Sequence, residues 1–196
     1  MDYENYLNLD EILNAQTPKT TEPLEVMFII AHQSSELWFK VLIQELTCLI
    51  DTPEIDCSKI TTIKLPHNAI YNPIVQLQRV KKIFDHLNTS WDIIATMSQE
   101  EYDRFRDKLG SASGMQSKQY IKIEMLLRKL IKKWDHRYKH QLLDIETIFK
   151  KWQFSHMKTV ERIIGNDKGT GGTSGVSYLK QAVDKPLRDN YQWKGW

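Results

Sequence analysis

This chain of 196 residues is poor in several things, and each shortage narrows what it can be. It has two cysteines, Cys48 and Cys57, in no CxxC pairing, so neither a disulfide framework nor a cysteine-rich zinc module organises it, and both read as ordinary thiols. No apolar run approaches the ~20 residues of a membrane-spanning helix, and nothing at the start resembles a secretory signal; a cytoplasmic protein with no membrane partner is expected. Charge of one sign is also missing. Against 27 basic residues stand 25 acidic ones, a net charge of +2 that does not point to nucleic acid. Alternating strand patterns, internal repeats and low-complexity tracts are absent too, which leaves an all-α fold as the expectation.

What the chain does have is ordinary globular composition, 41% hydrophobic and 27% charged, enough for one compact domain over 1–196. After a polar arm at 1–21, apolar residues from Met27 to Leu49 recur at helical spacing and predict a helix over 24–50, with Pro23 in its first turn. A loop at 51–65 and a helix at 66–87 follow; Pro73 within it marks either a first turn or a kink. Ser98 and Glu101 form a capping-box pattern opening a short helix to Leu109. From Met115 to Ile164 there is neither glycine nor proline. One straight helix of that length would run ~75 Å, too long for such a domain, so the spacing predicts a reversal within 135–144. The basic residues between Lys118 and Lys139 alternate with Ile123, Leu127, Leu130 and Trp134 and read as the wet face of an amphipathic helix. A glycine-rich loop at 165–175 and a short helix at 177–183 complete the pattern.

Two segments carry most of the candidate chemistry. In FIIAHQSSELWFK, His32 stands four residues after Phe28, so the two share a helix face and could line one wall of a flat aromatic pocket. A neutral imidazole there could accept an indole N–H or move a proton, although a buried structural histidine fits that segment alone better. In WQFSHMKTVERIIGNDKGTGGTSG, His156 sits among Trp152, Met157, Val160, Ile163 and Ile164. Its imidazole could hold haem iron through one nitrogen and leave the opposite axial position open, but helical spacing by itself favours a core histidine. The following GTGGTSG loop lets main-chain amides approach a ligand closely, and it is no Walker loop, since no Gly-Lys-Ser/Thr follows and no strand precedes it. Tyr102 and Arg106, also four apart, could converge on one carboxylate, or the arginine could simply form a surface ion pair. His136 and His140 have metal-ligand spacing but no third ligand nearby and read as surface residues.

Taken together, HQSSELWFK, FRDKLGSASGMQS and the His156 segment resemble the tryptophan 2,3-dioxygenase family, three separate motifs in the family's order. The resemblance implies a helical haem b enzyme in which His156 is the axial ligand of the iron and Trp152, Ser113 and Gly114 adjoin the cofactor. It implies that His32 and Phe28 orient the indole, that Tyr102 and Arg106 bind the substrate carboxylate, and that Thr170 binds the ammonium group, with Leu109 and Ser113 lining the pocket. The N-terminal pattern that includes Tyr3, Tyr6 and Leu7 is similar to the family's arm, which crosses to a neighbouring subunit, so a homo-oligomer, dimer or tetramer, is implied. The implied reaction inserts both atoms of O2 across the C2–C3 bond of an indole, most directly L-tryptophan to N-formylkynurenine. A shortened relative that mono-oxygenates an aromatic, or a non-catalytic haem-binding helical protein, are the alternatives. The chain departs from the family pattern between Gln116 and Trp152, which is shorter by several dozen residues, and after Gly175, where it is abbreviated. Gln153 and Ser155 replace basic residues before the haem histidine, weakening charge compensation for the propionates, and Met115 stands where an aromatic residue is common.

Overall fold

A computed structural model describes residues 1–52, 63–64, 70–165 and 175–188. Two short helices, α1 (Tyr3–Leu7) and α2 (Leu9–Leu13), form the arm. The long helices α3 (Pro23–Asp51), α4 (Pro73–Ile94) and α6 (Lys118–Ile164) make the body, joined by α5 (Gln99–Arg106) and closed by α7 (Gly175–Asp184). The expected all-α architecture is present. The one addition among the described residues is a two-residue antiparallel ladder pairing β1 (Ile63–Lys64) with β2 (Ile70–Tyr71).

Pro73 is a first-turn proline: Asn72 caps α4 by accepting the Ile74 amide at 3.0 Å, and the helix starts there rather than at residue 66. It also runs past Leu87, because Trp91 and Ile94 prolong the buried stripe of Val80, Phe84 and Leu87. The Ser98–Glu101 capping box is formed reciprocally, and a 3-10 turn carries the chain from α5 to Leu109.

The reversal falls at Tyr138, whose backbone (φ −118°, ψ 35°) interrupts α6. Residues 120 and 153 would stand roughly 50 Å apart on a straight helix. Instead, Gln153 Nε2 donates to the Tyr120 hydroxyl at 2.7 Å, so the two arms of α6 run back along each other. Arg188 braces the turn by pairing with both Asp135 and Glu146. The two arms pack with α3 and α4 around a core that includes Leu42, Leu46, Phe84, Leu127, Leu130 and Phe149, each at most 1% exposed. Each such side chain contributes about 1.5–3 kcal/mol by leaving water.

The basic first arm of α6 has the expected wet face, yet some of its side chains are structural. Lys133 Nζ donates to Ile50 O (2.6 Å) and Thr52 O (2.7 Å), and Trp134 Nε1 to Leu49 O (3.0 Å), satisfying carbonyls that the end of α3 leaves open. Helix α3 itself is long and apolar enough, by length and composition, to cross a membrane, which the sequence reading did not find. Its charges argue for a bundle instead. Buried Glu45 takes hydrogen bonds from Arg79 (2.5 Å) and Gln76 (3.2 Å) of α4. Glu25, 1% exposed, accepts from the Lys19 and Thr20 amides at 2.7 Å and ties the arm's exit to the first turn of α3. Cys48 is a free thiol, and His136 and His140 are exposed. Cys57, His67, the greater part of the 165–175 loop and the tryptophan-bearing tail lie outside the described residues.

Candidate active site

α3, α4, the second arm of α6, the 109–114 turn and α7 enclose a cavity of two adjoining lobes, about 810 and about 710 Å³ including their solvent-open parts. His32, Trp91, Gly114, His156 and Leu179 line both lobes. Two histidines 124 positions apart in the sequence therefore meet at one cavity, because α3 and the returning arm of α6 are neighbours in the bundle.

The two imidazoles are held differently. His32 Nδ1 lies 2.7 Å from the Phe28 carbonyl, which can only accept, so that nitrogen carries the proton. Desolvation by burial lowers the pKa of His32, keeping the ring neutral with its Nε2 lone pair available. Its ring packs on that of Phe28, centroids 4.2 Å apart. His156 has no hydrogen bond to any described residue. It stacks on Trp91 (4.6 Å, interplanar angle 10°), and desolvation, helped by His32, lowers its pKa to about 4. Its neutral ring lines both lobes of the cavity.

Of the other residues expected at the site, Tyr102, Leu109, Ser113 and Gly114 line the first lobe and Trp152 the second. Burial raises the Tyr102 hydroxyl's pKa, so it is a proton donor near neutrality. Arg106 is 17% exposed and lies 3.8 Å from Asp103, and it does not line the cavity. Tyr3 and Tyr6 are 73% and 74% exposed and line neither lobe, and Leu7 of the same short helix lines neither. Thr170 lies outside the described residues. Sequence reasoning missed Trp91, whose spacing from Leu87 and Phe84 reads as core, and Tyr120 and Leu179, which reach the cavity only once α6 folds back and α7 closes over it; Gln153, noted from its place before His156, lines the second lobe.

Which cofactor do these residues suit? Among the described residues no group of three or more His, Cys, Asp or Glu could hold a bare metal ion. A lone neutral imidazole suffices only for a metal that brings its other ligands with it, as iron in a porphyrin does. The mainly apolar lining and the rings of Trp91 and Trp152 beside His156 suit a flat macrocycle. The residues fit haem.

Fold and site together suit a helical oxidoreductase with room for a macrocyclic metal cofactor. A family model described as tryptophan 2,3-dioxygenase matches residues 1–142 and 132–191. The chain is 32% identical to a tryptophan 2,3-dioxygenase of Bradyrhizobium sp. strain BTAi1 over 257 aligned positions, covering 94% of this chain and 88% of that protein. It is 31% identical to one of Bacillus anthracis over 258 positions, with the same coverages. The chain belongs to the tryptophan 2,3-dioxygenase family, whose members are haem-dependent oxidoreductases. Both alignments are longer than the 196 residues here, so several dozen positions of each relative have no counterpart, and the two model matches meet at the Tyr138 turn.

Proposed function

We propose that the chain, folded as a single domain over 1–196, binds haem b through His156 and converts L-tryptophan and O2 to N-formylkynurenine. Both oxygen atoms enter the product across the indole C2–C3 bond, so atoms and electrons balance without an external reductant. The observation that carries this reading is the pair of neutral imidazoles on one cavity, the His156 ring without a hydrogen-bond partner among the described residues and His32 with its tautomer fixed. The haem, when bound, supplies the activation of dioxygen; the chain supplies placement.

Each residue has a definable part. His32 Nε2 accepts the indole N–H, and Phe28 packs against the ring. Tyr102, protonated near neutrality, donates to the substrate carboxylate, and Arg106 joins it by leaving Asp103 for the stronger charge-assisted pair. Thr170 holds the ammonium group, while Leu109 and Ser113 shape the wall beside the reacting carbons. Tyr3, Tyr6 and Leu7, exposed in their own chain, reach the pocket of a second copy, which makes the working protein a cytoplasmic homo-oligomer, dimer or tetramer.

The test is to load the purified chain with haem, reduce it, add L-tryptophan under air and weigh the product. A mass increase of two oxygen atoms is expected. An increase of one, or a haem-loaded protein that consumes no oxygen with tryptophan, overturns the reading.

A further inference from the structure

At the edge where α6 faces α7, a chain of hydrogen bonds runs from a half-buried cation to the cavity. Lys150 Nζ donates to Gln153 Oε1 (2.9 Å), Ala182 O (2.9 Å) and Lys185 O (2.5 Å). Three acceptors match the three N–H bonds of an ammonium, so the cation is held although burial lowers its pKa. Gln153, 4% exposed, passes the polarity on: its Nε2 donates to the Tyr120 hydroxyl at 2.7 Å. The phenol oxygen accepts there, and its own proton has no acceptor among the described residues. Burial pushes the phenol up to about 12, so that proton stays in place. Tyr120 lines the second lobe and also an outer groove of about 1000 Å³ between α6 and α7, bordered by Arg128 and Lys185.

We propose that Tyr120 donates a hydrogen bond to a haem propionate, and that Lys150, acting through Gln153, is the positioning residue that polarises and aims it. The inference rests on the haem reading. A haem's apolar body suits the lobes, but its two carboxylates must reach a polar edge, since an unpaired buried carboxylate is very costly. The Glu36 side of the second lobe repels them. At the Tyr120 side, Glu124 is paired with Arg128 at 2.8 Å, and Lys150 and Lys185 face Asp184, a surplus of one positive charge. Gln153 thus connects them to a charge one helical turn away.

Tyr120→Phe keeps the ring and removes only the donor. The chain and the variant are each loaded with haem b or with its dimethyl ester, and transfer to excess apomyoglobin is timed, with thermal unfolding of the apoproteins as a folding control. The variant should release haem b about tenfold faster, the value of one charge-assisted hydrogen bond, while the ester leaves both proteins at the same rate. Lys150→Met should show the same selectivity for the free acid. Equal release of haem b from the chain and Tyr120→Phe, or equal acceleration of acid and ester, overturns the inference and leaves the haem reading standing. An unaltered chain that takes up neither haem overturns both.

Discussion

Two sides of the cavity are built in different ways. The His156 side belongs to α6, clamped to α3, α4 and α7 and backed by Trp91 and Trp152. Another side, carrying Tyr102, Leu109 and Ser113, consists of an eight-residue helix, a 3-10 turn and a bend at Gly110. Short segments lend little stability of their own. If His156 holds the cofactor as proposed, its side is the better braced of the two, while on the other side Tyr102 lines the cavity and Arg106 lies 3.8 Å from Asp103. On the proposed reading, affinity for the cofactor would rest on the core, and selectivity for the substrate on the rim.

The strongest way to break this contrast is His156→Ala, which should abolish stoichiometric haem binding while the apoprotein remains folded; titration by absorption spectroscopy would show it, and an unchanged spectrum would remove the ligand assignment. Next is Arg106→Ala. If the guanidinium leaves Asp103 to clamp the substrate, KM for tryptophan should rise at least tenfold, the value of one charge-assisted contact, and KM for decarboxylated indoles should not. Equal effects on both would mean that Arg106 only supports α5. Lys133→Met removes the cap of α3 far from the cavity, so it should lower global stability by about 1–2 kcal/mol in denaturant unfolding and leave haem affinity unaltered.

The smallest effect concerns the arm. Burial pushes the Glu25 carboxyl up, but the hydrogen bonds from Lys19 and Thr20 outweigh it and hold the pKa below its ordinary value of 4.5. A carboxyl depressed on folding stabilises above the unfolded pKa, and that contribution fades as pH falls through the folded one. The Lys19 and Thr20 amide resonances should titrate with a midpoint below 4.5, and Glu25→Gln should abolish the titration; a midpoint at or above that value would mean that the arm is not anchored there.

These contrasts also explain what the sequence could reveal. α3, the α5 capping box and the reversal were legible because helical periodicity, a cap and a length limit are local signals. Tyr138 was not identifiable as the turning point, since it is neither glycine nor proline and its conformation is imposed by packing. Trp91 was hidden for a related reason: a tryptophan on a core stripe looks the same whether it meets leucine or the imidazole of His156. Both histidines and Tyr102 were identified through motifs, but Arg106's partner was not, because an ion pair three residues away and a clamp across the pocket read alike in one dimension. The Tyr120–Gln153–Lys150 chain exists only after α6 doubles back.

The two matches to the family model overlap at residues 132–142, around the turn at Tyr138. Homologous segments flank it on either side, and the longer relatives carry additional residues in their alignments. With Arg188 bracing the hairpin and His140 exposed just beyond the turn, this position is a natural graft point: a loop spliced in there would project away from the porphyrin space and could carry a reporter or a docking module without disturbing the ring's seat.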